Sequence, residues 1–470
     1  MTGIVDYDLT GLKELVASGA ASPAEIVCEL LARIVAVEPV VNGFVQTGFE
    51  AALDRARTIE TGSGHLSGLP FAVKDCLEIE GWITTFGTLG YADHVSAMTA
   101  TVVRRLTGSG GVLLGLTSTP ELGTSIETDS LIHGRTNNPI DPLRTPGGSS
   151  GGGAALVKAG AIPLVVGSDF GGGSRNTAQC CGLFAHRPSL GRVSTAGYLL
   201  GCAGMKGQMC RVAPLARSAR DLELVFKVMS GSDTDDPKTD GVAGRPGPAR
   251  ADGYRIALVT GVPAAPPSPG VEAAIAAFGA ALQDKHEVET PDLGDLICEG
   301  SEIAFGLFSA DGGRLLRHVL EHVTHTREIS RSMAFWLDSV GRLGEQPAGA
   351  FIDLMNRWEN FRLAVNRLFE NYDYLVCPAA PTVAPRHGET LDEAFFWRAI
   401  AYTTPFSLTA SPVLAVPVGV GEDGLPVTAQ IVSASWTDEA LLAFGRDLQE
   451  MDGPARDLIA RALAIPIMVG

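Results

Sequence analysis

The chain has few of the features that would direct it to a membrane, a nucleic acid or an oxidising compartment. Its longest apolar runs, such as 161–166 (AIPLVV) and 413–418 (VLAVPV), fall far short of the roughly 20 residues that span a bilayer, so the chain is expected to stay in solution. Cations are scarce: 36 Lys and Arg face 53 Asp and Glu, a formal charge of −17. That field repels a phosphate backbone and an anionic bilayer, which argues against nucleic acid or a membrane as partner. There are only 8 cysteines in 470 residues, with no CxxC pair and one adjacent pair, Cys180 and Cys181. This fits neither a disulfide framework nor a zinc site; no metal is expected, and a reducing cytoplasm is the default compartment. The opening MTGIVDYDLTGLKEL carries acidic residues where a secretory signal needs a basic segment and a continuous apolar one, so no export is expected. No repeat of 20 to 50 residues is present, which argues against solenoids and propellers.

What remains is a globular composition, 45% hydrophobic and 19% charged, with 56 glycines. Ser22-Pro23-Ala24-Glu25 has the form of a capping box with proline at the first helical position, and Ile26, Leu30, Ile34 and Val37 follow at helical spacing. Residues 69–74 and 112–116 read as buried strands around a helix over 100–107. Between 145 and 189, glycine runs surround the apolar stretch 159–166, which reads as glycine-rich loops beside a buried strand. Beyond Ser230 comes a polar, Pro- and Gly-rich connection, SDTDDPKTDGVAGRPGPARADG, then a strand over 255–260 and helical patterns to about Tyr372. Residues 231–372 are therefore expected to form a variable, mainly helical cover. Apolar segments at 374–377, 413–418 and 427–432 are expected to rejoin the first sheet, with a final helix after Asp438.

Glycine runs invite a phosphate-binding reading, but there is no GxxxxGK[ST] string, and Gly167 to Gly173 lacks both the GxGxxG spacing and a following acidic residue to hold a ribose. No nucleotide or other cofactor is expected. Gly147-Gly148-Ser149-Ser150-Gly151 formally matches GxSxG, yet the preceding NPIDPLRTP has three prolines and no apolar strand to support a nucleophile elbow. No lysine has a serine three residues before it, which removes the SxxK arrangement.

Three elements are left: Lys74 at a strand end, Ser149-Ser150 in TPGGSSGGG, and GSDFGGGSR at 167–175. Together with Gly68-Leu69-Pro70-Phe71-Ala72-Val73-Lys74-Asp75 and Cys181-Gly182-Leu183-Phe184-Ala185-His186-Arg187-Pro188-Ser189, they resemble the amidase signature family. The resemblance implies a single α/β domain over 1–470, a mixed central sheet covered by helices, and cleavage of a C–N bond through an acyl-enzyme without metal or cofactor. It assigns Lys74 as the base, which must be neutral to act, and Ser149 as a proton relay following a cis peptide. It places the backbone N–H groups of Phe170, Gly171, Gly172 and Gly173 in the oxyanion hole, and gives Ser150, Asp169 and Arg175 supporting roles.

One position departs from the pattern. The nucleophilic serine of the family aligns with Gly173, so the expected hydroxyl is missing. Ser174 is next door, but neighbouring side chains diverge, and its hydroxyl is expected to miss Lys74 and the oxyanion hole; it remains a backup nucleophile. A replacement made to trap substrate and a natural loss leaving a binding protein both explain Gly173, and the intact remainder of the site favours the first. Either way, loss of a nucleophile costs on the order of 10⁶ in turnover, and the chain is expected to be nearly inactive. The implied partner is a small amide or carbamate, with self-association left open; rival readings are a non-catalytic binder and the glutaminase subunit of an amidotransferase. His186, Cys180 and Cys181 read as structural, Cys76 as a candidate lining residue, and Phe395, Phe396, Trp397, Tyr402 and Phe406 as pocket wall or plain core.

Overall fold

The computed structural model describes residues 3–62, 64–248, 253–323, 326 and 328–469. Among these, eleven strands form one mixed sheet in the spatial order Phe44–Thr47, Val112–Thr117, Pro70–Lys74, Leu164–Asp169, Arg211–Ala216, Phe184–Arg187, Val413–Val420, Pro426–Ser433, Tyr374–Pro378, Arg255–Leu258 and Glu287–Glu289. Pro70–Lys74 lies parallel to both of its neighbours, with Val73 opposite Val166 and Lys74 opposite Thr117. It is buried at every position. Continuous apolar runs of this kind belong to strands covered on both faces, and helices supply that cover here. The C-terminal strands return antiparallel to the first part of the sheet, as Val413 pairs with Arg187 and Ala415 with Ala185. The architecture is the expected α/β one, a large mixed sheet flanked by helices.

Several elements follow directly from their local chemistry. Helix Pro23–Val41 begins in the full capping box, with the Ser22 hydroxyl accepting from Glu25 N and the Glu25 side chain accepting from Ser22 N. Its residues Ile26, Val27, Leu30, Ile34 and Val37 are buried. Among the described residues no helix is long and apolar enough to cross a membrane.

Two expectations need correction. The apolar stretch from Ala159 becomes a strand only at Leu164, because helix Gly151–Lys158 ends at Ala159 and Gly160 turns the chain at φ +72°. In the middle region Arg255–Leu258, within the strand expected over 255–260, and the short Glu287–Glu289 extend the far edge of the sheet, alongside helices Pro269–Leu282, Gly294–Ser309, Arg331–Gly341 and Ala348–Asn371. The final helix is two, Asp438–Glu450 and Pro454–Leu463: the chain turns extended at Met451, and Pro454 opens the second helix after Gly453. Residues 249–252 of the expected polar connection lie outside the described residues.

Candidate active site

Three chain segments meet at the ends of the central parallel strands. Lys74, the last residue of its strand, is fully buried, and its Nζ donates to Ser149 Oγ at 2.6 Å and to Ser168 Oγ at 2.9 Å. Ser149 lies just before helix Gly151–Lys158, and the Gly148–Ser149 peptide is cis. Ser168 sits near the end of strand Leu164–Asp169, followed by the loop that leads into helix Arg175–Cys181.

Glycine makes this meeting sterically possible. A side-chain carbon at Gly153 would lie 2.3 Å from Val165 Cγ2, so only glycine lets the helix that carries Ser149 settle onto the strand. Gly172 has φ +129°, and a side-chain carbon there would lie 2.5 Å from Thr403 Oγ1.

A dense polar network fixes the loop after Asp169. The buried Asp169 carboxylate accepts from Gly172 N (3.0 Å), Ser174 N (3.2 Å), Ser174 Oγ (2.8 Å), and Arg175 Nε (3.0 Å) and Nη2 (2.8 Å). Arg175 continues to Thr403 O, Gln430 Oε1 and Ser407 Oγ. Burial alone would raise the Asp169 pKa, but the charges and hydrogen bonds of Arg175, with help from Arg187 at 3.5 Å, hold it well below the ordinary carboxylate range. Ser150 braces the other loop, its Oγ donating to Ser168 O and accepting from Ser168 N, both at 3.2 Å.

Burial depresses the Lys74 pKa, against smaller opposing effects from Cys76, Cys210, Asp169 and Asp75. A lysine so placed approaches the neutral form in which it can take a proton from a hydroxyl. Its neighbour Asp75 is pushed up to about 7 by burial, even though it accepts from Thr85 N at 2.9 Å and from the Thr85 hydroxyl.

Position 173 faces this pair. A side-chain carbon on Gly173 would lie 3.0 Å from Ser149 Oγ and 2.6 Å from Ser168 O, so a side chain there would address Ser149 directly once the loop had opened slightly. Ser174 points elsewhere: it is fully buried and hydrogen-bonded to Asp169. Among the proposed oxyanion donors, the Gly172 N–H is engaged by Asp169, whereas the Gly171 and Gly173 N–H groups have no hydrogen-bond acceptor among the described residues. That corrects the reading of Gly172 as an open donor.

Of the remaining candidates, His186 is buried with its Nε2 3.2 Å from Asp438, and Cys180 and Cys181 are buried free thiols. Cys76 backs the site, its Sγ 3.9 Å from Ser168 Oγ. Tyr402 belongs to the core, its hydroxyl donating to Ala265 O and accepting from Val262 N. Phe396 and Trp397 instead join an aromatic group with Trp336, which leads through Phe308 to Phe170 in the oxyanion loop, where the Phe170 and Phe308 ring centroids lie 5.0 Å apart. Sequence reasoning missed Phe308, Ser168 and Thr85. The Ser168 signal was present in the GSDFGGGSR string at 167–175, which carries that hydroxyl one residue before Asp169.

A buried lysine bonded to a serine hydroxyl, beside a glycine-rich loop with unengaged N–H groups, assembles on an α/β scaffold the kinds of group that lysine-assisted acyl transfer requires. The Amidase family model matches residues 25–442, and the chain belongs to the amidase signature family. It is 30% identical over 482 residues to one of the subunits of glutamyl-tRNA(Gln) amidotransferase from Roseiflexus castenholzii, covering 96% of this chain and 97% of that one. It is 31% identical over 458 residues to the AtzE subunit of 1-carboxybiuret hydrolase from Pseudomonas sp. (strain ADP), covering 93% and 97%. The structure of 6-aminohexanoate cyclic dimer hydrolase complexed with substrate superposes with a TM-score of 0.83 at 25% identity, covering 99% of this chain and all of that one.

Proposed function

We propose that this chain carries an amidohydrolase site for the C–N bond of a small amide, aryl amide or carbamate, and that Gly173 leaves it without the hydroxyl that would form the acyl-enzyme. The observation that carries the reading is the 2.6 Å contact between a buried Lys74 and Ser149, next to a glycine whose missing side chain would point at Ser149. Lys74 is the base and Ser149 the relay. The Phe170, Gly171 and Gly173 N–H groups are donors to the tetrahedral oxyanion, while Ser150, Asp169 and Arg175 hold the loops. The whole of 1–470 acts as one domain, and its variable cover at 231–372 contributes Phe308 and Trp336 to the wall that selects the substrate.

The test is hydrolysis of an anilide, a carbamate and glutamine by the chain, by Gly173→Ser and by Gly173→Ser with Lys74→Ala. Restoring the hydroxyl should raise kcat/KM on one substrate class by about 10³- to 10⁶-fold, and the lysine change should remove the gain. The Ser168 carbonyl must shift to admit the new side chain, which favours the lower end of that range. Inertness of all three proteins on every substrate would defeat the reading.

A second reading is a protein that binds without turnover, or the glutaminase component of a larger enzyme. It draws on the named relatives, which are components of an amidotransferase and of a hydrolase. Copurifying partner chains, with glutamine as the substrate that responds to Gly173→Ser, would favour the glutaminase form.

A further inference from the structure

We propose that Ser149 itself is a nucleophile in this chain, activated directly by Lys74, so that the protein accepts acyl groups from activated esters while leaving ordinary amides uncleaved. This rests on the acyl-transfer reading above and changes the residue that bonds to the acyl carbon.

Four serines surround Lys74 or its loops, and three are less available than Ser149. Ser174 Oγ donates to Asp169, Ser150 Oγ donates to Ser168 O, and Ser168 Oγ, which also accepts from Lys74, is 3% exposed with the Tyr198 hydroxyl at 3.4 Å and Cys76 Sγ at 3.9 Å. Ser149 is the most open at 8%, and its Oγ makes no hydrogen bond among the described residues other than the one to Lys74. A neutral amine at Nζ can take the hydroxyl proton along that same 2.6 Å contact. The absent side chain at 173 would have stood 3.0 Å from Ser149 Oγ, covering it. With glycine there, an acyl carbon can move inward by the depth of one hydroxymethyl group and meet Ser149. The Gly173 N–H, unengaged among the described residues, belongs to the residue that faces Ser149.

In the step itself, Ser149 Oγ bonds to the acyl carbon as its proton passes to Lys74 Nζ, and the carbonyl electron pair moves onto oxygen. Collapse re-forms the carbonyl and breaks the bond to the leaving phenolate, which takes a proton from water or from the Lys74 ammonium. Once the Lys74 ammonium has given its proton to the phenolate or to solvent, water attacks the Ser149 ester and passes a proton to the neutral Nζ, which returns it to Oγ as the acyl–Oγ bond breaks and the acid leaves. An amine leaving group must be protonated as it departs. The route from Lys74 to that nitrogen runs through Ser149 Oγ, which is now acylated, so amides stay intact.

The experiment treats the chain with a p-nitrophenyl ester and, separately, a fluorophosphonate, and maps the modified residue by peptide mass spectrometry. Binding of an intact anilide is followed in parallel by calorimetry. The expected result is one adduct, on Ser149, formed at least about 100-fold more slowly in Lys74→Ala and absent in Ser149→Ala. Should Ser149→Ala fail to fold, Ser149→Cys is expected to carry the adduct as a thioester at the same position. An adduct on Ser168 or Ser174, or none in a chain that binds the anilide, overturns this inference and leaves the amidohydrolase reading standing. A chain that neither binds the anilide nor is modified overturns both.

Discussion

Two regions that meet at the loop after Asp169 are built by opposite means. On the side of the central strands, Lys74, Ser149, Ser150, Asp169 and Arg175 are buried and joined by short polar contacts, each group fixed by at least one partner. On the other side, Phe170, Phe308, Trp336 and Trp397 meet at tilted angles, are only half-buried, and come from the loop after Asp169 and from helices Gly294–Ser309, Arg331–Gly341 and Glu393–Ala399. Reaction chemistry needs groups held within fractions of an ångström, which directional bonds supply. Substrate selection needs surface and shape, which aromatic packing supplies and which can change without disturbing the reacting groups.

Substitutions on the two sides should therefore fail differently. The largest effect is expected from Arg175→Ala, which strips the buried Asp169 carboxylate of its closest cation and should cost about 3–5 kcal/mol in urea unfolding. Arg175→Lys should recover only part of that, lacking the forked geometry. A cost below about 1 kcal/mol would mean that Arg187 and the loop N–H groups suffice alone.

Next comes Asp75. Its folded pKa, about 7, lies above the unfolded value of about 4, so the folded chain holds a proton that the unfolded chain releases. The resulting stabilisation is complete below pH 4 and is lost as pH rises through 7. Stability should fall by up to about 1 kcal/mol per pH unit between pH 5 and 7, and Asp75→Asn should flatten that slope. Lys74 and His133 flank the carboxyl and contribute their own slopes, so the readout is the difference between the two proteins.

On the aromatic side, Phe308→Ala should weaken anilide binding by about 10-fold while leaving acetamide binding unchanged, measured by calorimetry. Equal losses for both ligands would place Phe308 in the general scaffold. The smallest effect is expected far from both regions: Ser22→Ala should cost about 1 kcal/mol by removing the cap of helix Pro23–Val41.

Legibility in the sequence divides along the same line. Lys74 and both serine loops stood out because their short strings resemble those of the amidase signature family, and each string also meets a local need: a strand end, or glycines for close approach. The Ser22 cap and the rejoining of the C-terminal strands were readable for the same reason, as was the Gly453-Pro454 break that the single-helix reading overlooked. The Phe170–Phe308 contact, the bond from Lys74 to Ser168 and the Asp75–Thr85 pair join distant segments, and no local pattern marks them. The edge strand Glu287–Glu289 is three residues long and charged, too short to show alternation.

The central claim is that a working lysine–serine site lacks one hydroxyl at position 173. Its most direct test is the ratio of kcat/KM for a single anilide between Gly173→Ser and the unaltered chain. The account predicts a ratio of at least about 10³. A ratio near one, whether both proteins are active or both are inert, would contradict it.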